Sequence, residues 1–145
     1  MNIIIKSTKE LIDTIKSMNI KRLYVASPLS AKSKTGIVAN MLIARDKCNY
    51  LNGILKNSTK AWCPHGYLPQ FLDDDIAEER KLGVDFGIRL LEMSDAIYVF
   101  GEKLSTGMKE EIKLAIKHKM PILIEDNLAD EVKKYIGYVT QTGRI

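Results

Sequence analysis

Cysteine is scarce in this chain of 145 residues, which contains only Cys48 and Cys63. The two are not spaced like metal ligands, and no second pair accompanies them. No cluster of His, Cys and acidic residues has metal-site spacing either. We therefore predict two reduced, partly buried thiols in a reducing compartment, with neither a disulfide framework nor a metal or other cofactor.

Long apolar runs are also missing from the sequence. No stretch reaches the ~18 apolar residues that would indicate a membrane span. The apolar run at residues 3–5 is too short for the core of a signal peptide. The sequence therefore predicts a cytoplasmic protein that does not contact a membrane.

Charge of one sign is not concentrated anywhere. The chain carries 22 Lys and Arg residues against 18 Asp and Glu, a net charge of +4. The lysines are dispersed, without a block of five or six like charges. A balance this mild does not favour nucleic acid as a partner, whereas a basic cleft that attracts an anionic metabolite remains compatible with it.

Short apolar runs alternate with longer segments whose apolar residues recur every three or four positions, which predicts alternating strands and helices. The predicted strands are residues 22–27, 60–63, 96–100 and 121–124, with residues 2–5 as a strand or an ordered arm and residues 138–140 as a candidate last strand. The predicted helices are residues 7–18, 37–55, 75–93, 106–118 and 128–135. No repeat, linker or low-complexity tract divides residues 1–145, so we predict one domain.

This alternation predicts a Rossmann-like, three-layer α/β/α architecture with four or five mainly parallel strands. Ligands of such folds bind outside the carboxyl ends of the strands. Four segments fall there, namely residues 27–30, 64–67, 101–107 and 125–127. Neither the dinucleotide fingerprint nor the P-loop fingerprint occurs in the chain.

The segment after the predicted strand at residues 96–100 holds a candidate anion site. A helix is predicted to begin near Ser105 or Thr106, and its first backbone N–H groups have no partner within the helix. Gly107 allows a ligand to approach this backbone, so a phosphate or carboxylate would fit. The alternative is that Ser105 serves only as an N-cap.

The phase of this helix separates two adjacent glutamates. At about 100° per residue, Met108, Ile112 and Ala115 form one apolar stripe. Glu110 lies opposite the stripe, whereas Glu111 lies at its edge and is predicted to face the sheet. An inward carboxylate could act as a nucleophile, a base or an acceptor for ligand hydroxyls. Alternatively, Glu111 pairs with a nearby Arg.

Two basic side chains are candidate partners for that carboxylate. Arg80 falls within the predicted apolar arc of helix 75–93, where it could pair with Glu111, reach a ligand anion or form a purely structural ion pair. His65 follows the strand 60–63 directly and could donate to a ligand or move a proton, or it could be structural. The turn that begins with Ser27 and Pro28 is a further candidate ligand-binding segment.

Taken together, these segments resemble the nucleoside 2-deoxyribosyltransferase-like superfamily. The resemblance is carried by residues 23–29 (LYVASPL), Pro64 and His65, Glu79 and Arg80 with Gly83 and Gly87, residues 95–101 (DAIYVFG) and residues 105–112 (STGMKEEI). It spans about residues 21–125 and is nearest to a branch of uncharacterised small phage and bacterial proteins. Residues 1–20 look like an N-terminal extension to that unit.

The resemblance implies a flavodoxin-like sheet and cleavage of the N-glycosidic bond of 2′-deoxyribonucleosides or their 5′-monophosphates. A Glu on the helix after the third strand attacks the anomeric carbon in that superfamily, and Glu111 occupies the matching position. In the nucleotide-hydrolysing members, a Ser and a Gly that match Ser105 and Gly107 help to hold the 5′-phosphate. The resemblance also implies a homodimer or larger assembly in which a neighbour completes the site.

We therefore expect a hydrolase or transferase that acts on the N-glycosidic bond of a deoxyribonucleotide, with Glu111 as nucleophile and His65 and Arg80 as further catalytic residues. The predicted substrate-binding residues are Ser27, Pro28, Ser105, Gly107 and Met108. The loop at residues 27–30 lacks the glycines typical of the hydrolases. Two other functions therefore stay open: a non-catalytic protein that senses or sequesters a nucleotide signal, and an interaction module with a vestigial crevice.

Overall fold

The fold is built on a five-stranded, entirely parallel sheet. The computed structural model describes residues 1–29 and 31–142. Its strands are β1 (Asn2–Ile5), β2 (Arg22–Ala26), β3 (Lys60–Trp62), β4 (Ala96–Val99) and β5 (Ile122–Glu125). They lie side by side in the order β1-β5-β4-β2-β3. The predicted α/β class with a parallel sheet is thus confirmed.

Five α-helices cover the two faces of this sheet. They are α1 (Thr8–Ser17), α2 (Lys34–Ile54), α3 (Ala77–Glu92), α4 (Thr106–Lys117) and α5 (Ala129–Thr142). Buried residues of α1 and α2 pack on one face of the sheet. Buried residues of α3, α4 and α5 pack on the other face. None of the helices in the described part of the chain is both long and apolar enough to cross a membrane.

Strand β4 shows how the sequence produces the two cores. All four of its residues are buried. Because successive side chains of a strand point to opposite faces, Ile97 and Val99 enter the core under α3, α4 and α5. Tyr98 enters the core under α1 and α2. A strand buried on both faces has no polar alternation, which explains the continuous apolar run in its sequence.

The prediction of a last strand at residues 138–140 is wrong, because this segment belongs to helix α5. Val132 and Val139 lie on one apolar stripe of that helix, about two turns apart, and both are buried. A run of three residues is too short to distinguish a strand period from a helical one. The fifth strand is instead β1, which pairs with β5 at the edge of the sheet.

Residues 1–20 are an integral part of the fold. Strand β1 pairs in parallel along its whole length with β5, from Asn2 opposite Ile122 to Ile5 opposite Glu125. Helix α1 then brings Leu11 and Ile15 into the core. Ser7 is the N-cap of this helix, since its side chain accepts the backbone N–H of Glu10.

The strand order places a crevice between β2 and β4. The chain leaves β2 toward β3 on one side and returns to β4 on the other side. The helices that follow β2 and β4 therefore diverge at the carboxyl ends of these two strands. Such a switch point is where open parallel sheets bind their ligands.

Candidate functional site

Glu111 is turned toward the sheet from the second turn of α4, as the helix phase predicts. Its Oε2 accepts the phenolic O–H of Tyr24, which projects from β2. Its other oxygen, Oε1, is buried and has no hydrogen-bond partner among residues 1–29 and 31–142. The neighbouring Glu110 is exposed. The first turns of α4 therefore hold an inward carboxylate with one oxygen still able to bond a ligand.

The electrostatics of this carboxylate are unusual for a glutamate. Burial raises the pKa of Glu111 above its ordinary value, while the charge of His65 and the hydrogen bond from Tyr24 act in the opposite direction. The pKa of Tyr24 is raised well above its ordinary value by burial and by the negative charge of Glu111. Tyr24 therefore remains a protonated donor at every physiological pH.

His65 lies in the short 3₁₀ turn Pro64–Gly66 that follows β3. Its Nδ1 is 2.9 Å from the carbonyl oxygen of Ser27, at the end of β2. Because a carbonyl oxygen can only accept, Nδ1 carries the proton in this contact, and Nε2 is left as the ring's second polar atom. The neutral ring therefore offers an acceptor at Nε2, and the protonated ring offers a donor.

Ser27 and Pro28 lie at the carboxyl end of β2, as predicted. Ser27 is 1% exposed, and within the described part of the chain its Oγ has no hydrogen-bond partner. Pro28 packs against Gly101, at the end of β4. Ser30, the last residue of the predicted binding turn, lies outside the described residues. The crevice thus contains two buried polar atoms, Ser27 Oγ and Glu111 Oε1, for which residues 1–29 and 31–142 supply no hydrogen-bond partner.

The start of α4 is held by a reciprocal cap. Ser105 Oγ accepts the backbone N–H of Met108 at 3.3 Å, and the sulfur of Met108 accepts the backbone N–H of Ser105 at 3.5 Å. Ser105 is therefore an N-cap, and its hydroxyl hydrogen is still available to an acceptor. Met108 is fully buried, so it supports the cap from the core.

Gly107 faces open space at the first turn of α4. A side chain built there would meet no described atom within 4 Å. Packing inside the protein therefore does not require a glycine at this position. A group outside the helix can approach the backbone closely here, where the first N–H groups lack intrahelical partners.

The structure does not bring Arg80 to the carboxylate. Arg80 is exposed, so the alternative in which Glu111 is neutralised by this arginine is wrong. Two acidic residues of α3 also form their hydrogen bonds away from Glu111. Glu79 accepts the backbone N–H of Asp73, and Asp85 pairs with Lys81 on the outer side of α3.

Tyr24 is the residue that the sequence reasoning missed. Tyr24 lies within a short apolar strand, where the sequence pattern indicates a core residue. Because a buried tyrosine hydroxyl usually has a hydrogen-bond partner, a tyrosine in a predicted buried strand indicates a polar group beside it. Gly87 on α3 lies beside this tyrosine, since a Cβ at this position would stand 3.5 Å from the Tyr24 hydroxyl oxygen, an ordinary van der Waals contact.

Replacing Tyr24 by Phe is expected to raise the pKa of Glu111 further, because the charged form loses the hydrogen bond that stabilises it. Titration of the Glu111 side-chain carboxyl by carbon NMR measures the change. Tyr98→Phe is the matched control, since Tyr98 donates to Glu125 in the other core. An unchanged Glu111 titration in Tyr24→Phe, or an equal shift in Tyr98→Phe, would contradict the assigned contact.

The described residues contain no group of three or more His, Cys, Asp or Glu that could hold a metal ion. Cys48 and Cys63 are both free thiols and are fully buried rather than partly buried. The groups that the crevice itself supplies are a buried carboxylate, a tyrosine donor, an imidazole, a serine hydroxyl and a helix start.

The fold and the crevice define a Rossmann-like three-layer α/β protein with a polar site at the switch point of its sheet. Within that class, the chain belongs to the family described as a domain of unknown function, DUF7768, which it matches over residues 21–125. The matched range includes β2, β3, β4, β5 and every residue of the crevice. None of the curated proteins matches the chain.

Proposed function

We propose that the protein cleaves or transfers the N-glycosidic bond of a 2′-deoxyribonucleoside 5′-monophosphate or a related nucleotide, with Glu111 as nucleophile. The observation that carries the proposal is the buried Oε1 of Glu111 beside the start of α4, which no described residue bonds. A carboxylate oxygen is costly to bury without a partner, which favours a functional role for it.

In the proposed reaction, Oε1 attacks C1′ of the sugar while the bond from C1′ to the base nitrogen breaks. The electron pair of that bond leaves with the base, which takes up a proton. A covalent sugar ester forms on Glu111, and water or a second base then displaces the carboxylate. Tyr24 holds Oε2 during these steps, so that Oε1 is kept in a fixed direction.

The start of α4 is the proposed site of the 5′-phosphate. The exposed backbone at Gly107 and the hydroxyl of Ser105 lie one and one and a half turns before Glu111 on the same helix. An anion is stabilised there by free N–H groups and by the helix dipole. This arrangement fixes the sugar with respect to the carboxylate through a single rigid element.

Ser27 and His65 are proposed to complete the site. The hydroxyl of Ser27, which has no partner in the described part of the chain, can bond a polar group of the sugar or base. His65 is held by the Ser27 carbonyl, and its Nε2 is the atom available to orient the base or deliver a proton. The exposed Arg80 is proposed only as a contact for an anion at the mouth of the crevice.

A panel of deoxynucleoside 5′-monophosphates, with the matching nucleosides as controls, tests the proposal. We expect free base to be released from a nucleotide, and less from its nucleoside because the phosphate contacts are lost. Chromatography of the free base is the measurement. Saturable binding without base release would favour the nucleotide sensor or sponge instead. The absence of any thermal shift would favour the interaction module.

A further inference from the structure

The turn that carries His65 follows the shortest strand of the sheet. Strand β3 has three residues and lies at one end of the strand order, beside β2. The 3₁₀ turn Pro64–Gly66 begins two residues after the strand ends. No strand of the described chain lies on the outer side of β3, so the backbone of this segment needs another element to hold it.

Helix α2 supplies that support. The side chain of Asn52 donates Nδ2–H to the carbonyl oxygen of Ala61 and accepts the Ala61 N–H at Oδ1, each at 2.8 Å. The amide thus satisfies both outward-facing backbone groups of the middle residue of β3, as a neighbouring strand would. Further along the chain, Cys63 donates its thiol hydrogen to the carbonyl oxygen of Ala44 at 3.4 Å. The same helix therefore binds the segment repeatedly as it approaches His65.

Arg45 of α2 binds the turn itself. Its Nε donates to the carbonyl oxygen of Gly66 at 2.8 Å. The guanidinium lies over the ring of Tyr67, 4.8 Å from the ring centre, and Nη2 is 3.8 Å from the sulfur of Met41. Arg45 forms no ion pair within the described part of the chain. This half-buried cation therefore binds the backbone of the turn rather than a carboxylate.

Gly66 packs closely against this arginine. A Cβ at this position would lie 3.1 Å from both Cα and N of Arg45 and 2.8 Å from the sulfur of Cys63. Separations this short would force the turn or the helix to move, so the contact as it stands requires glycine. On the other side of the turn, a Cβ at Gly87 of α3 would stand 3.6 Å from the ring of Pro64. The turn is thus held between α2 and α3.

The orientation of the His65 ring depends on the position of this turn. Its Nδ1 donates to the carbonyl oxygen of Ser27 at 2.9 Å, and that bond keeps the proton of the neutral ring on Nδ1. Because His65 and Gly66 are adjacent, a displacement of the Gly66 carbonyl would move the imidazole relative to Ser27. The bond would then lengthen or lose its alignment, which weakens it.

From these contacts we infer that Arg45 is a positioning residue for His65. Its bond to the Gly66 carbonyl fixes the turn, and the fixed turn holds the imidazole with Nδ1 bonded to Ser27 and Nε2 available in the crevice. Arg45 therefore acts on the site through His65. Its effect on base release rests on the proposed function, whereas its effect on the ring of His65 does not.

Two replacements of similar length separate the hydrogen bond from the charge of Arg45. Arg45→Gln keeps an N–H donor at the place of Nε, because Nε2 of glutamine is the same number of bonds from Cα. Arg45→Met puts a methyl group there, and neither variant is charged. The chain has two histidines, so nitrogen NMR of the imidazoles can follow His65 with His118, at the end of α4, as the internal control.

At alkaline pH, where the imidazole is neutral, we expect His65 of the wild-type protein to be mainly the Nδ1–H tautomer. In Arg45→Met the ratio of the Nδ1–H to the Nε2–H tautomer should fall about fivefold, the effect of losing one hydrogen bond. Arg45→Gln should keep most of the wild-type ratio, and His118 should not change. Arg45→Leu, a second apolar replacement that favours a helix, should show the same fall as Arg45→Met, and unfolding transitions verify that each variant is folded.

A wild-type His65 that is mainly the Nε2–H tautomer would overturn the inference. An unchanged ratio in the folded apolar variants, or an equal fall in Arg45→Gln, would overturn it too. The tautomer is measured without substrate, so its result does not depend on base release. A wild-type protein that releases no base would remove the proposed function and leave the assigned role of Arg45 in orienting His65.

Base release provides the second readout. Arg45→Met is expected to lower kcat about tenfold and to change KM less, because a displaced imidazole loses its alignment with the reacting groups. Arg45→Gln should stay close to the wild-type kcat. An unchanged kcat in Arg45→Met, together with the expected change of tautomer, would overturn the link between Arg45 and the reaction.

Discussion

Replacing Glu111 by Gln is expected to reduce base release at least about a thousandfold, while nucleotide binding changes little. The amide has nearly the same shape as the carboxylate and can still accept the hydroxyl of Tyr24. It cannot form the sugar ester, because an amide oxygen is a poor nucleophile. Initial rates of base release and the dissociation constant from calorimetry measure the two quantities separately.

Glu110→Gln is the matched control for this experiment. Glu110 carries the same side chain one position earlier on the same helix, but it is exposed. Its replacement removes the same charge without touching the crevice, so turnover should stay close to that of the wild-type protein. Retained turnover in Glu111→Gln, or an equal loss in Glu110→Gln, would refute the assigned nucleophile.

The Glu111→Gln variant also has an expected signature in stability. Because the folded-state pKa of Glu111 is raised, its contribution to stability is greatest below the unfolded-state pKa and is lost as the pH rises through the folded-state value. The neutral amide has no such dependence. The stability of the variant should therefore rise relative to that of the wild-type protein as the pH rises from acid to neutral. Thermal unfolding across that pH range measures the difference.

Replacing Gly101 by Ala is expected to destabilise the fold by about 3 kcal/mol. Gly101 has a φ of +126°, a backbone conformation that residues with a Cβ avoid. A Cβ at this position would also lie 2.5 Å from Cδ of Pro28. The backbone at the ends of β2 and β4 must therefore move, which displaces Ser27. Urea denaturation measures the stability loss, and nucleotide binding should weaken in parallel.

Gly53→Ala is the control, and for it we do not expect a loss of stability. Gly53 lies within α2, and a side chain there would meet no described atom within 4 Å. Alanine is a better helix former than glycine, so this variant should be unchanged or more stable by up to about 1 kcal/mol. Equal behaviour of the two alanine variants would show that the contact between Gly101 and Pro28 does not constrain the crevice.

The sequence predicts the strands that are buried on both faces well. It predicts short segments and the edge strand β1 poorly. Strands β2 and β4 are continuous apolar runs because helices cover both of their faces. The segment at residues 138–140 resembles a strand in the sequence because three residues are too few to separate a strand repeat from a helical one. In the structure, the buried Val132 and Val139 belong to one stripe of helix α5. The placement of β1 beside β5 depends on contacts between opposite ends of the chain, which local patterns do not encode.

The sequence predicts the part of the site that a single helix determines. It does not predict the part that forms where a helix and a distant strand meet. The phase of α4 alone turns Glu111 inward and Glu110 outward. The partner of Glu111 is 87 residues away on β2, and strand alternation does not reveal which helix Tyr24 will meet. Arg80 was placed inward because α3 has apolar residues on several sides, so its phase was ambiguous from the sequence.

The pairing of β1 with β5 has a consequence for the order of events during synthesis. Strand β1 is synthesised before the other four strands, and its partner among the described strands, β5, lies 120 residues further along, from Asn2 opposite Ile122 onward. Strands β2, β3 and β4 can pair with one another before β5 is made, so the nascent chain carries β1 as an unpaired apolar segment until β5 has emerged.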